Sequence, residues 1–312
     1  MHPIIPMEPI SCETIPEGPN WIAQVKWDGV RIVTYFDGQE TRLFNRRKNE
    51  RTIQFPELAD IQTYCKARSV ILDGEVIALG SDGKPSFHEV MRRDGIRRPE
   101  KVSQAQKAVP ITYMIFDVIF LDGEWIINRS LRERMGLLSE IIMPNEHVQL
   151  VPGNDNGQAL YDVIQQHGME GIVMKDLNSK YVIGGKEKQW QKKKYYRDTI
   201  AVVGGVTLRD NIVNALLLGL YDQEGHLFYI GHAGTGRFTQ SDWRALTERI
   251  APLTQQNSPF ANKPSRVKGA VWLTPKITVK VQFAEWTEGY TLRQPSIQAV
   301  VDVPADHCVL ES

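Results

Sequence analysis

The sequence predicts an α+β chain in two domains: antiparallel sheets with helices packed on them, followed by a small β-barrel. Three observations carry this. Short apolar runs of strand length fill the first part, separated by Asp-Gly and similar pairs, without the regular strand–helix alternation of a parallel sheet. Helical periodicity is confined to a few segments between those runs. Near Arg197 the composition shifts to long strand-like runs with one capped helix among them.

Taken in order, Trp21 to Lys26 reads as a strand, Asp28-Gly29 as a hairpin-type turn, and Val30 to Phe36 as the next strand, closed by Asp37-Gly38. Phe55 to Cys65 reads as a helix. Val70 to Leu72 leads as a strand into Asp73-Gly74, and Glu75 to Leu79 follows. Ile111 to Leu121 is a long apolar strand with Asp117 inside it, and Leu131 to Ile142 and Gln158 to His167 read as helices. Beyond Arg197, the runs Ile200 to Leu208, Ala215 to Tyr221 and Leu227 to Ile230 are strand-like. Thr239, with Asp242 three residues on, predicts a helix N-cap and a helix to about Ile250. A last strand region runs from Ala270 to Trp286. Strands, one helix and more strands fit a barrel of the OB type, with a plain β-sandwich as the alternative. The boundary falls at 196–200, which gives domains 1–197 and 198–312.

Bulk properties narrow the classes. A chain of 312 residues exceeds what one core usually serves. Pro3, Pro6, Pro9 and Pro16 interrupt the N-terminus, so it holds no unbroken apolar signal helix. No apolar run is long enough for a bilayer. Cys12, Cys65 and Cys308 are odd in number and widely spaced, which argues against a disulfide framework and for a reducing, cytoplasmic location. Net charge is zero, yet two basic clusters stand out: Arg42, Arg46, Arg47, Lys48 and Arg51, then Lys186, Lys188, Lys192, Lys193, Lys194 and Arg197. Each is either a solvated face or a surface for a phosphate backbone.

The string Lys26-Trp27-Asp28-Gly29-Val30-Arg31 sets a lysine at a strand end before a tight turn. A lysine amine is a nucleophile only when neutral, so nearby cations or a metal must lower its pKa. Alone, the string is equally an exposed hairpin. An ordered set follows it: Asp73-Gly74-Glu75, Phe116-Asp117, Glu170-Gly171-Ile172-Val173-Met174-Lys175 and Trp190-Gln191-Lys192-Lys193-Lys194. Lys192 and Lys194 alternate, so on a strand both point to one face.

These five strings together resemble the covalent nucleotidyltransferases: ATP-dependent DNA ligases, RNA ligases and mRNA capping enzymes. The closer resemblance is to bacterial ATP-dependent DNA ligases, including the ligase domain of end-joining enzymes. It is carried by Tyr229 to Phe238, by Phe283-Ala284-Glu285-Trp286-Thr287 and by Leu292-Arg293-Gln294-Pro295. The glycine-rich part of the first of these reads as a turn in the OB barrel. The resemblance implies an adenylation (nucleotidyltransferase) domain followed by an OB-fold domain, and sealing of 5′-phosphate/3′-hydroxyl nicks through lysyl-AMP and DNA-adenylate.

By the same resemblance, Lys26 attacks the α-phosphate of ATP, Arg31 and Glu75 hold the ribose, and Arg46 contacts a phosphate or the bound nucleotide. Phe116 stacks on adenine, with Gln24 at the adenine edge. Lys192 and Lys194 hold the α-phosphate, and Lys186 lies beside the triphosphate. Glu75 and Glu170 bind Mg2+ or Mn2+, and Arg293 reaches the ATP tail. Gln24 stands where close relatives often have glutamate, and Lys186 where many have arginine, so Lys186 lacks the forked contact. Implied partners are nicked double-stranded DNA and a Ku-type end-binding protein, for a monomer away from membranes. An RNA ligase, a GTP-using capping enzyme and a non-catalytic end-binding module are the alternatives; the missing RxDK string argues against capping.

Overall fold

The computed structural model describes residues 2–265, 267–283, 286–287 and 289–310. Ala284 and Glu285 of the Phe283–Thr287 string therefore lie outside the described residues. The chain divides into two compact units, Met1–Tyr195 and Tyr196–Ser312.

In the first unit the strands are β1 (Glu8–Ser11), β2 (Trp21–Val25), β3 (Val30–Phe36), β4 (Thr41–Asn45), β5 (Val70–Ile77), β6 (Thr112–Leu121), β7 (Glu124–Trp125), β8 (Val148–Leu150), β9 (Gly171–Asp176) and β10 (Lys186–Lys194). The helices are α1 (Phe87–Asp94), α2 (Val102–Ala108), α3 (Leu131–Ile141) and α4 (Gly157–Gln166). One sheet has the order β1-β10-β9-β2; the other has β4-β3-β5-β6-β7 with β8 on β6. Pairing is antiparallel except for β1 on β10 and β8 on β6.

The two sheets meet face to face through Val33, Tyr35, Phe44, Ile71 and Ile119 of the larger and Trp190 of the smaller, with Met7 and Tyr181. The far face of the larger sheet buries Ile32, Leu43, Val76 and Ile115 against Phe55, Leu58, Val90 and Leu138. The far face of the smaller sheet packs Ala23, Ile172 and Met174 on Tyr161 and Ile164 of α4.

Three local expectations change. Asp28-Gly29 is not a hairpin turn: β2 pairs with β9 in one sheet, and β3 pairs with β4 and β5 in the other. The turn is a crossover between sheets. Phe55 to Cys65 is not an α-helix but two 3-10 turns, Pro56–Leu58 and Ile61–Thr63. Its buried residues Phe55, Leu58, Ile61 and Tyr64 recur every third position, a spacing that 3-10 turns satisfy. Asp73-Gly74 does not end a strand but lies inside β5, where a Cβ on Gly74 would fall 2.5 Å from the Tyr113 ring. Helices α1 and α2 add to the expected elements; α1 is capped by Ser86, whose Oγ accepts from the Glu89 N–H.

The second unit contains β11 (Arg197–Arg209), β12 (Ile212–Tyr221), β13 (Leu227–Ala233), α5 (Gln240–Ile250), β14 (Thr254–Gln255), β15 (Ala270–Phe283) and β16 (Ser296–Val301). Its sheet runs β13-β12-β11-β15-β14, with β16 on β15, around a core that includes Val202, Leu218, Phe260 and Val279. This is the OB-type barrel. Asp210 and Asn211 both have positive φ, 51° and 62°, the geometry of a tight hairpin between β11 and β12. Thr239 and Asp242 form the expected reciprocal cap of α5. The first half of the glycine-rich stretch is strand β13 rather than turn; only Gly234 onward leaves it. No helix among the described residues is long and apolar enough to cross a membrane.

Candidate active site

The site is built from the facing surfaces of the two sheets in the first unit. Lys26 follows the last residue of β2, and its N–H donates to the Gly171 carbonyl at 2.9 Å. Two glycines allow this placement. A Cβ on Gly29 would lie 2.3 Å from the Val76 carbonyl oxygen and 3.0 Å from Glu75 Cγ, so the crossover presses directly on β5 beside Glu75. Gly171 has φ +149°, and a Cβ there would lie 2.2 Å from the Lys193 carbonyl oxygen. The glycines of the Lys26 and Glu170 strings thus serve close backbone approach.

Glu170 is the hub of the basic end. Its buried carboxylate lies 2.7 Å from Lys26 Nζ and 3.2 Å from Lys194 Nζ, both to the same oxygen. The Tyr195 N–H also donates to the Glu170 carbonyl at 2.8 Å, which fixes the chain end of β10. On β10, Trp190, Lys192 and Lys194 pair with Lys175, Val173 and Gly171 of β9 without a register break, so these alternate residues share one face. Lys26 thus has an acid at hydrogen-bond distance, and Lys194 shares the same oxygen.

Arg46 and Lys186 come together by a route the sequence did not reveal. Glu8 of β1 bridges them, with 3.1 Å to Arg46 Nη1 and 3.4 Å to Lys186 Nζ. Parallel pairing sets Glu8 beside Lys186.

A buried apolar cluster lies beside Trp27, the residue after Lys26. Ile77, Met114 and Val151 form a buried cluster, with Trp27 and Phe116 packed against it. Phe116 is half-buried although its neighbours Ile115 and Asp117 are fully buried, and it sits where the β5–β6 register shifts. Gln24 is buried and donates through Nε2 to the Val151 carbonyl at 3.2 Å. Its Oε1 is a buried acceptor with no hydrogen-bond partner among the described residues. An exocyclic amino group on a base would satisfy such an atom.

Arg31 is placed differently from the expectation. It stands opposite Glu75 in the β3–β5 register, but its guanidinium forks onto Asp73 at 2.5 and 2.6 Å and donates to the Met7 carbonyl at 3.1 Å. Burial works against its charge, yet Asp73 more than compensates and raises its pKa. Its Cζ also lies 4.6 Å from the Phe116 ring centroid. Tyr181 donates to Asp73 at 2.6 Å and accepts from the Met7 N–H at 3.0 Å. A two-residue step along β5 therefore separates the carboxylate that Arg31 holds from Glu75. Asp117, next to Phe116, is fully buried in a forked pair with Arg134 at 2.7 and 2.9 Å. Trp190 is a buried packing residue, edge-on to Phe116 and Tyr181. Arg293 is exposed in the second unit.

Lys26, Gln24, Glu75, Phe116, Glu170, Lys192 and Lys194 thus line facing surfaces of one unit. Glu8, Trp27, Asp73 and Tyr181 join them, and only Trp27 and Asp73 fell inside the strings read from the sequence.

The first unit thus sets a lysine and a carboxylate hub beside a buried apolar cluster between two sheets, and the second unit is an OB-type barrel. Residues 9–194 match the ATP dependent DNA ligase domain and residues 209–302 match the ATP dependent DNA ligase C terminal region. The chain belongs to the ATP-dependent DNA ligase family. It is 31% identical over 284 residues to a multifunctional non-homologous end joining protein LigD of Mycobacterium bovis, covering 88% of this chain and 35% of that protein. It is 30% identical over 293 residues to a DNA ligase of Methanothrix thermoacetophila, covering 89% and 51%. The chain thus spans about a third to a half of the length of these relatives. A solved structure of mycobacterial DNA ligase D, complexed with ATP and MES, superposes with a TM-score of 0.73 at 25% identity, covering 99% of this chain and 98% of that one.

Proposed function

We propose that this chain seals 5′-phosphate/3′-hydroxyl nicks in double-stranded DNA at the expense of ATP, with Lys26 as the nucleophile. The observation that carries this reading is the meeting of Lys26 and Lys194 on one oxygen of Glu170, with Trp27, next to Lys26 in the chain, packed against the same apolar cluster as Phe116. The base lies against Phe116, and its amino group donates to Gln24 Oε1. Glu75 faces the ribose. Arg31 stiffens this wall through Asp73 and approaches the sugar with its remaining edge. Lys192 and Lys194 hold the α-phosphate, and Arg46 and Lys186 hold the outer phosphates once Glu8 releases them.

Lys26 gives up a proton and its Nζ bonds to the α-phosphorus, while the bond to the pyrophosphate oxygen breaks. A 5′-phosphate oxygen then displaces Lys26, moving AMP to the DNA end. Last, the 3′-hydroxyl attacks that 5′-phosphorus and AMP leaves. Such transfers need charge neutralisation more than covalent help, which the lysines supply. The oxygen donors of Glu75 and Glu170 suit Mg2+ or Mn2+, which would further neutralise phosphate charge.

Incubation with α-labelled ATP and Mg2+ should leave a labelled protein that discharges onto nicked DNA. If Lys26→Ala labels as strongly as the wild type, the assignment is wrong. Equal or better sealing of nicked RNA would move the substrate to RNA. We extend the reading to end joining on the named role of the mycobacterial relative, with a Ku-type ring as the recruiting partner. Failure of such a ring to stimulate joining of broken ends would remove that extension. A reducing, cytoplasmic site of action is supported by the odd number and wide spacing of Cys12, Cys65 and Cys308.

A further inference from the structure

Lys175 ends the Glu170–Lys175 string, and the reaction outlined above does not use it. Its side chain is buried, and Nζ has no hydrogen-bond partner among the described residues. Instead the amine is wedged between two aromatic faces, 4.1 Å from the Phe116 ring centroid and 4.0 Å from that of Trp190. Register explains the wedge. Lys175 pairs with Trp190 on β10 and with Ile22 on β2, so it projects from the smaller sheet toward the larger one.

We propose that Lys175 is a positioning residue of the base slot, its amine bracing the Phe116 ring from the Trp190 side so that the ring stays set for stacking on the nucleotide base. This rests on the assignment of Phe116 as the base platform.

First, Phe116 belongs to two packing groups. It touches the inter-sheet cluster that contains Trp190 and Tyr181, and also the Ile77, Met114 and Val151 cluster of the slot. A side chain that fixes it from the first group acts on what the second group receives. Second, a cation on an aromatic face gains from the ring quadrupole, most when desolvated, and draws π-density away from a stacking partner. Third, the placement is costly. A buried amine without a hydrogen bond is destabilising, and a methionine has similar reach and no such cost. Burial pushes Lys175 down to about 7; Asp117 opposes that, Arg31 adds to it, Asp73 opposes it and Arg134 adds to it. The facing groups are thus Asp117 on β6, Arg31 on β3, Asp73 on β5 and Arg134 on α3. The charge on the brace is present below neutrality and is lost as pH rises through about 7.

The test is Lys175→Met in the full chain, assayed by single-turnover self-adenylylation with ATP and Mg2+ between pH 6 and 8.5. The expected result is a KM for ATP raised about fivefold to tenfold at pH 6, with the maximal rate within about twofold of wild type. That KM ratio should shrink as pH rises above 7, because the wild-type amine then loses its charge. The melting temperature should be no lower than wild type. In a Phe116→Leu background, Lys175→Met should add nothing. Lys175→Leu serves as a second variant with the same expectation should the first fail to fold. A KM within twofold of wild type at pH 6 overturns the proposal, as does an equal penalty with and without Phe116. If the wild-type protein itself is never adenylylated, the ligase reading fails instead, and the two failures are told apart.

Discussion

Replacing Glu8 with glutamine should improve ATP use, an uncommon direction for a substitution near an active site. Glu8 holds Arg46 at 3.1 Å and Lys186 at 3.4 Å, and under the proposed function both cations serve the outer phosphates. The carboxylate therefore competes with the triphosphate for the same two partners. The side chains of Arg46 and Lys186 are 55% and 68% exposed, so each pair belongs among surface ion pairs. Such pairs are worth about 0.2–1 kcal/mol each. Their separations are at the long end, which favours the lower half of that range. Removing both attractions should then lower the KM for ATP in self-adenylylation about twofold to eightfold. Glutamine keeps the shape, and the Glu8 N–H still donates to the Gly185 carbonyl at 2.9 Å, so β1 should stay in place. The assay is the initial rate of lysyl-AMP formation against ATP concentration, at low and at high salt. The gain should shrink at high salt, because exposed charges are screened. A KM equal to or above wild type at low salt refutes the reasoning, since Glu8 would then not be competing with phosphate.

Two further outcomes follow from buried geometry. Asp117→Asn leaves Arg134 charged and fully buried without its counter-ion, which should destabilise the first unit by about 3–5 kcal/mol in urea unfolding. Gly29→Ala drives a Cβ against the Val76 carbonyl, so the crossover must shift and take Lys26 with it. Adenylylation should fall about tenfold to a hundredfold while far-UV dichroism stays near wild type.

How much of the site was legible depended on whether its chemistry follows the chain or crosses it. The strings around Lys26, Glu75, Phe116, Glu170 and Lys194 could be read because strand ends and alternation are local. Their alternation placed Lys192 and Lys194 on one face before any fold was known, and β10 keeps that face. The cap of α5 was legible for the same reason, since Thr239 and Asp242 meet within one turn. The cap of α1 is just as local, since Ser86 Oγ accepts from the Glu89 N–H three residues on. The 3-10 turns were misread because buried residues three apart suit either helix type.

What the sequence by itself determined is the family's order of functional strings and the strand content that carries them, since each depends on residues close in the chain. Only the tertiary structure decided the partners. Asp28-Gly29 spells a hairpin, but Val76 and Glu75 press on it and make it the crossover between two sheets. Arg31 was set opposite Glu75 by register, yet its guanidinium went to Asp73, where Tyr181 and Met7 complete a buried network. Glu8 met Arg46 and Lys186, and Lys175 came to rest between Phe116 and Trp190, through contacts that join distant segments. Charge and ring contacts are settled by which sheet faces which, and no local spacing records that.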